Sequence, residues 1–289
     1  MMPTKKALTL SLIIPVYNEA DVLDATLQAI ATQTEAPDEV IVVDNNSTDN
    51  SAEIAKKYSF VRVVTEKKQG QAAARNKGFN TAKSDILGRI NADVILDPDW
   101  VERAKQNFLD SPIAGLAGSG HSALLPRLQK PQTTIWVSLY YFWMLGIFRT
   151  PMLWGANLAI RREAWLHVKD DVINDDQLVH EDQDLTLCIL ESGGSLGRDD
   201  RLLMTTSEQT YHYFPKLLHY TKRTYQTKRQ HADRPAFKAL KRSPPLWILA
   251  FLWVMPGMIL LPIFFTVSFV FWPIDYVMKW VFHDKNWLS

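Results

Sequence analysis

Cysteine is almost absent: Cys188 stands alone in 289 residues. An intrachain disulfide and a thiolate metal cluster are thereby excluded. An excess of charge of either sign is missing too, with 32 Lys and Arg against 31 Asp and Glu and a formal net charge of +1. The balance hides a segregation. Nine Lys and Arg and one acid, Asp233, lie between Lys216 and Arg242, a local net of +8. Residues 243–289 hold two charges of each sign, which leaves residues 1–215 at −7 by difference. That asymmetry argues against wholesale nucleic-acid binding and for a basic collar on one part of the molecule. A small-residue cleavage site is lacking after Lys5, Lys6 and the apolar Ala7–Tyr17. Since Pro15-Val16-Tyr17-Asn18-Glu19 leads straight into a helical pattern, this start reads as a strand and not as a signal peptide.

What is present is a 47% apolar chain, long enough for one large domain or a domain with an appendage. Leu8–Pro15 is an almost unbroken apolar run, the length of a strand buried on both faces. Glu19–Thr32 places Val22, Leu23, Leu27 and Ile30 on one helical face. Glu39–Val43 reads as a second buried strand, ending at Asp44. Asn45-Asn46-Ser47-Thr48-Asp49 follows, rich in helix-capping residues, and a helix runs on to about Tyr58. Val61–Thr65 is a third strand, Gly70–Ala82 a helix and Asp85–Ile90 a fourth strand. Strands and helices alternating at short spacing predict a largely parallel α/β sheet covered on both faces.

In such sheets ligands bind beyond the carboxyl ends of the strands. Asn18, Asp44 and Asp93 lie at those ends. Asn91 and Asp93 are two apart on an extended backbone, so both side chains can face one side. Two short oxygen-bearing side chains there suit a hard divalent cation that phosphates also hold. Pro98 and Asp99 then restart the chain as a helix. Past Asp110 the pattern loosens. Ile135–Phe148 is apolar and aromatic; a core helix and an interfacial helix lying against lipid both fit it. His180-Glu181-Asp182-Gln183-Asp184 puts three acids in four residues at the head of a helix, where acids are favoured by the helix dipole.

Pro244–Ile274 is 31 residues without a charge. As one helix it would reach about 46 Å, more than one membrane crossing and less than two. Pro256-Gly257 and Pro262 allow a kink or a break, so one tilted span and a re-entrant hairpin both fit. Trp247, Trp253, Trp272 and Trp280 are candidate interfacial anchors. The organisation expected is a catalytic domain over 1–215, a basic amphipathic connector over 216–243, and a membrane anchor with a short tail over 244–289.

Leu12-Ile13-Ile14-Pro15-Val16-Tyr17-Asn18-Glu19, then Val40-Ile41-Val42-Val43-Asp44-Asn45-Asn46-Ser47-Thr48-Asp49, then Gly70…Ala74-Arg75-Asn76…Gly78 resemble the blocks of glycosyltransferase family 2. The resemblance covers roughly residues 8–200. It implies the GT-A fold, a Rossmann-like, mostly parallel mixed sheet flanked by helices, and an inverting hexosyltransferase-like enzyme of envelope polysaccharide synthesis. It implies that the Pro15–Glu19 turn, with Tyr17 and Asn18, and Asp44 hold the nucleoside of a sugar-nucleotide donor, a UDP-sugar being favoured. Ser47, Gly70, Arg75, Asn91 and Ala92 would complete the donor site, and Asp93 would hold a divalent cation, Mn²⁺ or Mg²⁺, on the diphosphate. Arg75 or Lys68 could aid the diphosphate, though a surface ion pair fits each equally. Asp182, with Glu181 beside it, matches the acid pair that supplies the base, and Trp154, Gly155, Asn157 and Asp184 would stand on the acceptor side. The acceptor implied is lipid-linked or a glycan, at the inner membrane, with the catalytic domain facing the cytoplasm.

The sequence departs from the family at Asn91, where an acid is usual; Asn offers an oxygen but no charge. The Gln-x-x-Arg-Trp signature of processive synthases is also absent, since Thr210-Tyr211-His212-Tyr213 follows Gln209. By analogy this favours transfer of one sugar over polymer extension. A second hypothesis is a non-catalytic sugar-nucleotide-binding or scaffold protein that has lost the metal site. The survival of Asp93, Asp182 and Asp184 favours the enzyme.

Overall fold

The computed structural model describes residues 7–122, 152–206 and 214–234, together with Met144, Phe148 and Thr150. All belong to the unit running from Met1 to Ser243. The aromatic run over 135–148, apart from Met144 and Phe148, and the uncharged segment over 244–274 lie outside the described residues. Met144 and Phe148 are buried. No helix among the described residues is long and apolar enough to cross a membrane.

Eight strands form one sheet. β1 (Leu10–Val16), β2 (Glu39–Asp44), β3 (Val61–Thr65) and β4 (Ile86–Ile90) are parallel, in the order β3-β2-β1-β4. The helices between them are α1 (Ala20–Ala31), α2 (Ser51–Lys56) and α3 (Gln71–Thr81). These agree with the sequence reading because the strands are mostly apolar: Leu10, Leu12, Ile13 and Ile14 of β1 are fully buried. The buried face of α1 is Leu23, Thr26, Leu27 and Ile30, with Thr26 where an apolar reading expects Val22. The Thr26 hydroxyl donates to the Ala92 carbonyl at 2.7 Å, so α1 fixes the turn that follows β4. α3 lies unusually close on the sheet at Gly78, where a Cβ would stand 2.3 Å from Ile13 Cγ2.

The second half turns the sheet mixed. β5 (Val94–Leu96), β6 (Gly115–Ser122), β7 (Asn157–Arg161) and β8 (Leu196–Thr206) extend the order to β4-β7-β6-β8-β5. β7 runs antiparallel to β4 and β6, β8 is parallel to β6, and β5 is antiparallel to β8. β4 and β5 are three residues apart in sequence yet separated by three strands in the sheet. Three residues span at most about 11 Å, so the sheet must curl to bring its far edge back to the carboxyl end of β4. The remaining helices are α4 (Trp100–Asp110), α5 (Arg162–Val168), α6 (Glu181–Glu191) and α7 (Phe214–Gln230).

Two elements differ from the sequence reading. β5 intervenes before the helix expected from Pro98, which begins at Trp100. β6 reads Gly-Leu-Ala-Gly-Ser-Gly-His-Ser, whose glycines weaken any strand signal; its place is set by pairing with β7 and β8.

Candidate active site

Three strand ends converge at one edge of the sheet. Val16 of β1 pairs with Asp44 of β2, and Ile90 of β4 pairs with Asn157 at the start of antiparallel β7. Tyr17–Glu19, Asp44–Ser47, Asn91–Asp93 and Trp154–Gly155 therefore leave the sheet on the same side.

The first two turns are knitted together. Asn18 has φ +56° and Asn46 φ +64°, left-handed conformations that Asn tolerates. The Asn18 amide oxygen accepts from Thr48 N–H at 2.8 Å, Ser47 N–H donates to Asp44 Oδ1 at 3.0 Å, and Glu19 N–H donates to Ser51 Oγ at 2.9 Å. Tyr17 is half exposed and Pro15 part-buried in β1. Gly70, at φ +140°, donates its N–H to buried Asn45 at 2.8 Å and opens α3. Past β4, Asn91 and Asp93 are part-buried and flank buried Ala92, in a turn and not on the extended backbone the sequence suggested.

The second centre is the head of α6. Every residue from Glu181 to Ile189 is buried, although the first four are Glu, Asp, Gln and Asp. Acids in such a place must be compensated. Glu181, 3% exposed, lies 3.7 Å from Arg89 of β4, and its backbone carbonyl accepts from Arg75 of α3. Burial works against its charge, but His180, Arg89 and Arg75 hold its carboxyl well below the usual range. Asp182, also 3% exposed, accepts from the Gly155 N–H on Oδ2 at 2.8 Å and meets His180 Nδ1 on Oδ1 at 2.5 Å. Burial disfavours the His180 cation, yet the charges of Asp182 and Glu181 outweigh it and raise its pKa to about 10. A Cβ at Gly155 would stand 2.7 Å from Arg89 and 3.0 Å from Asp182, so only glycine lets β4 and α6 approach here. Gly155 adjoins the Ile90–Asn157 pair, which brings Asp182 to the edge that carries Asn91 and Asp93.

Three expected site residues stand elsewhere. Asn157 is fully buried: its amide nitrogen donates to the Ser119 and Leu202 carbonyls and its oxygen accepts from Trp100 Nε1, so it braces the core and not an acceptor. Asp184 is fully buried against His231 at 2.8 Å and the Ile173 N–H at 2.8 Å, behind the site. Arg75 is 1% exposed and turned to Glu181, so it braces the acid pair instead of meeting a diphosphate. Burial lowers its pKa against the opposing pull of Glu181 and Asp184. Trp154 is part-buried beside Gly155. Sequence reasoning missed Arg89 and His180. A lone arginine inside the apolar strand Ile-Leu-Gly-Arg-Ile was the available signal for the first; the second carried no signal beyond its neighbours.

Two clusters bring three ligand-type atoms within 4.8 Å: His180, Glu181 and Asp182, and Asp184, Cys188 and His231. The first is already engaged internally, His180 pairing with both acids and Arg89 with Glu181. In the second, burial and Asp184 push the Cys188 thiol up to about 12, away from the thiolate a metal needs, and Arg234 lies 3.5 Å from the sulfur. Asn91 and Asp93 offer hard oxygens with partial exposure at a strand end, a donor set that fits Mg²⁺ or Mn²⁺ shared with phosphate.

The family model for glycosyl transferase family 2 matches residues 11–165. The chain belongs to that family. Among curated relatives, glycosyltransferase AglE of Haloferax volcanii is 38% identical over 100 residues, 32% of this chain and 33% of that protein. The matched stretch spans about a third of the length of such relatives or less. Among solved structures, a mannosyltransferase from Pyrobaculum calidifontis in complex with GDP-Man and Mn²⁺ superposes with a TM-score of 0.64 at 18% identity, covering 97% of this chain and 89% of that one. Glucosyl-3-phosphoglycerate synthase from Mycobacterium tuberculosis, in complex with Mn²⁺, UDP and phosphoglyceric acid, gives 0.56 at 17% identity, covering 79% of this chain and 80% of that one. These likenesses give the GT-A type of fold to this family 2 chain.

Proposed function

We propose that this family 2 protein transfers a sugar from a nucleoside diphosphate sugar to a hydroxyl of a lipid-linked or envelope glycan, with inversion and with a divalent cation. The observation that carries the reading is Asp182, a buried carboxylate with Oδ2 hydrogen-bonded to Gly155 N–H and Oδ1 paired with His180, at the sheet edge that also bears Asp93. The Tyr17–Glu19 and Asp44–Ser47 turns receive the nucleoside, Asp44 as an acceptor for base or ribose. Asn91 and Asp93 hold the cation, Asp93 as the charged ligand; when bound it would offset the negative charge that grows on the departing diphosphate. Asp182 takes the proton of the acceptor hydroxyl as that oxygen bonds to the anomeric carbon, and the bond to the diphosphate breaks with its electron pair leaving on the diphosphate. One base and one displacement give inversion. The relatives solved with GDP-Man and with UDP support a nucleotide-sugar donor, and the base is left open between them. The uncharged Pro244–Ile274 segment and the basic Lys216–Arg242 stretch support a place at the inner membrane with this domain on the cytoplasmic side.

The test is donor turnover by the full chain in detergent across a panel of sugar nucleotides, with Mn²⁺ and with EDTA, and NMR of the product's anomeric configuration. Asp182→Asn should lower transfer roughly 10²–10⁴-fold while donor affinity stays nearly intact, because the base acts on the acceptor. Asp93→Ala should abolish Mn²⁺-dependent donor binding in calorimetry with the fold retained. Wild-type protein that binds donor but transfers nothing, with or without metal, would return the reading to a sugar-nucleotide-binding scaffold.

A further inference from the structure

His180 has no part in the steps above, yet among the described residues it is the one cation in an ion pair with Asp182. Its Nδ1 lies 2.5 Å from Asp182 Oδ1 and 3.3 Å from Glu181 Oε2. We propose that His180 is a positioning residue for the transfer reaction, its ring set against Asp182 Oδ1 and keeping that carboxylate turned towards the acceptor hydroxyl. The inference rests on the reading of Asp182 as the base.

Three observations lead there. Asp182 and Glu181 are adjacent acids at 3% exposure, and two carboxylates packed together out of water need a cation beside them. The two arginines nearby are directed at Glu181: Arg89 at 3.7 Å, and Arg75 through the Glu181 carbonyl. His180 makes the direct ion pair with Asp182, at 2.5 Å, while Arg75 also attracts that carboxylate. The second observation is directional. Gly155 N–H holds Oδ2 by a hydrogen bond, and His180 Nδ1 stands against Oδ1 at ion-pair distance, so each oxygen has a fixed neighbour. The third is that His180 is itself anchored. Its backbone N–H donates to Thr227 Oγ1 of α7 at 2.8 Å, so the ring is placed by a second helix. The charged groups beside it include Glu181 and Asp182 on α6, with Arg89 of β4 and Arg75 of α3 behind Glu181; Thr227 of α7 meets its backbone and is uncharged. The raised pKa of His180 agrees with this placement.

The experiment compares His180→Gln and His180→Lys with wild type, as full chains in detergent, by kcat and donor KM from pH 5 to 9. The Gln variant should lose tenfold or more in kcat at pH 7, keep its donor KM within about twofold, and show its acid limb at higher pH. The Lys variant, which keeps a cation, should recover most of kcat and the wild-type limb. Wild-type kcat and acid limb in the Gln variant would overturn the proposal, and so would a Lys variant as impaired as the Gln one. Ring-nitrogen NMR of ¹⁵N-histidine-labelled wild type and Asp182→Asn protein gives a readout independent of turnover and of whether the Gln variant folds. Both ring nitrogens of His180 protonated at pH 8 in wild type, with loss of that state in Asp182→Asn, supports the ion pair; a neutral ring in wild type overturns it. Wild type that transfers no sugar defeats the functional reading alone, and the spectra then decide the ion pair.

Discussion

Two residues of one polarity class, Asn91 and Asn157, both invite a ligand reading, and the structure separates them. Asn91 is part-buried beyond β4, while Asn157 has its nitrogen donating to two carbonyls and its oxygen taken by Trp100 Nε1. Asn157→Ala strands three buried polar groups, each costing ~1–3 kcal/mol. The variant should melt several degrees lower in calorimetry, with acceptor KM unchanged in the surviving folded protein. His180 gives a pH prediction at the same scale. Its folded pKa of about 10 stands above the unfolded value of about 6.5. The native state thus binds its proton more tightly, and the stabilisation is fully present below about pH 6.5 and is lost as pH rises through about 10. Melting temperature should fall over that window by less in His180→Gln than in wild type.

At the scale of elements, α6 is the unusual one. A helix buried on every side is normally apolar. This one starts with three acids and survives because other elements bring it partners: Arg89 from β4, Arg75 from α3, Gly155 from the loop before β7, and α7 along its length. The α7 contribution is specific. Thr227 accepts from His180, Thr224 accepts from Gln183 at 2.9 Å, and just past the helix His231 bridges Asp184 at 2.8 Å and Glu191 at 3.1 Å. Arg234 adds a 2.7 Å pair with Glu191. The sequence read this stretch as a basic connector; its described contacts also brace α6. His231→Ala should cost roughly 3–5 kcal/mol, because it leaves a buried carboxylate without its partner. Denaturant unfolding measures that loss. An unchanged midpoint would remove α7 from the supports of α6.

For the whole molecule, the expectation is that Pro244–Ile274 anchors the protein, aided by the Lys216–Arg242 charges, each worth about 1 kcal/mol near an anionic surface. A chain truncated before Ser243 should leave the membrane fraction after a high-salt wash while retaining donor binding. Retention in that fraction would place the anchor elsewhere. A C-terminal reporter active only in the cytoplasm separates a single span, which puts Ser289 outside, from a re-entrant hairpin.

The sequence by itself determined the parallel half of the sheet and its strand-end turns. Apolar runs such as Leu10–Ile14 have one stable place, between two layers of helix, and the Asn- and Asp-rich turns after them stay local to the strands they cap. It therefore placed Asp44, Asn91 and Asp93 at the carboxyl ends of parallel strands without coordinates. Tertiary structure alone decided the other half: the glycine-rich β6, the edge strand β5 and the roles of Arg75, Arg89, His180, Asn157 and Asp184. Their positions are fixed by pairings 30 or more residues apart and by charge compensation, such as the 92 residues between Arg89 and Glu181. A buried charge shows its type in the sequence, but its partner, and so its function, exists only once the chain has closed around it.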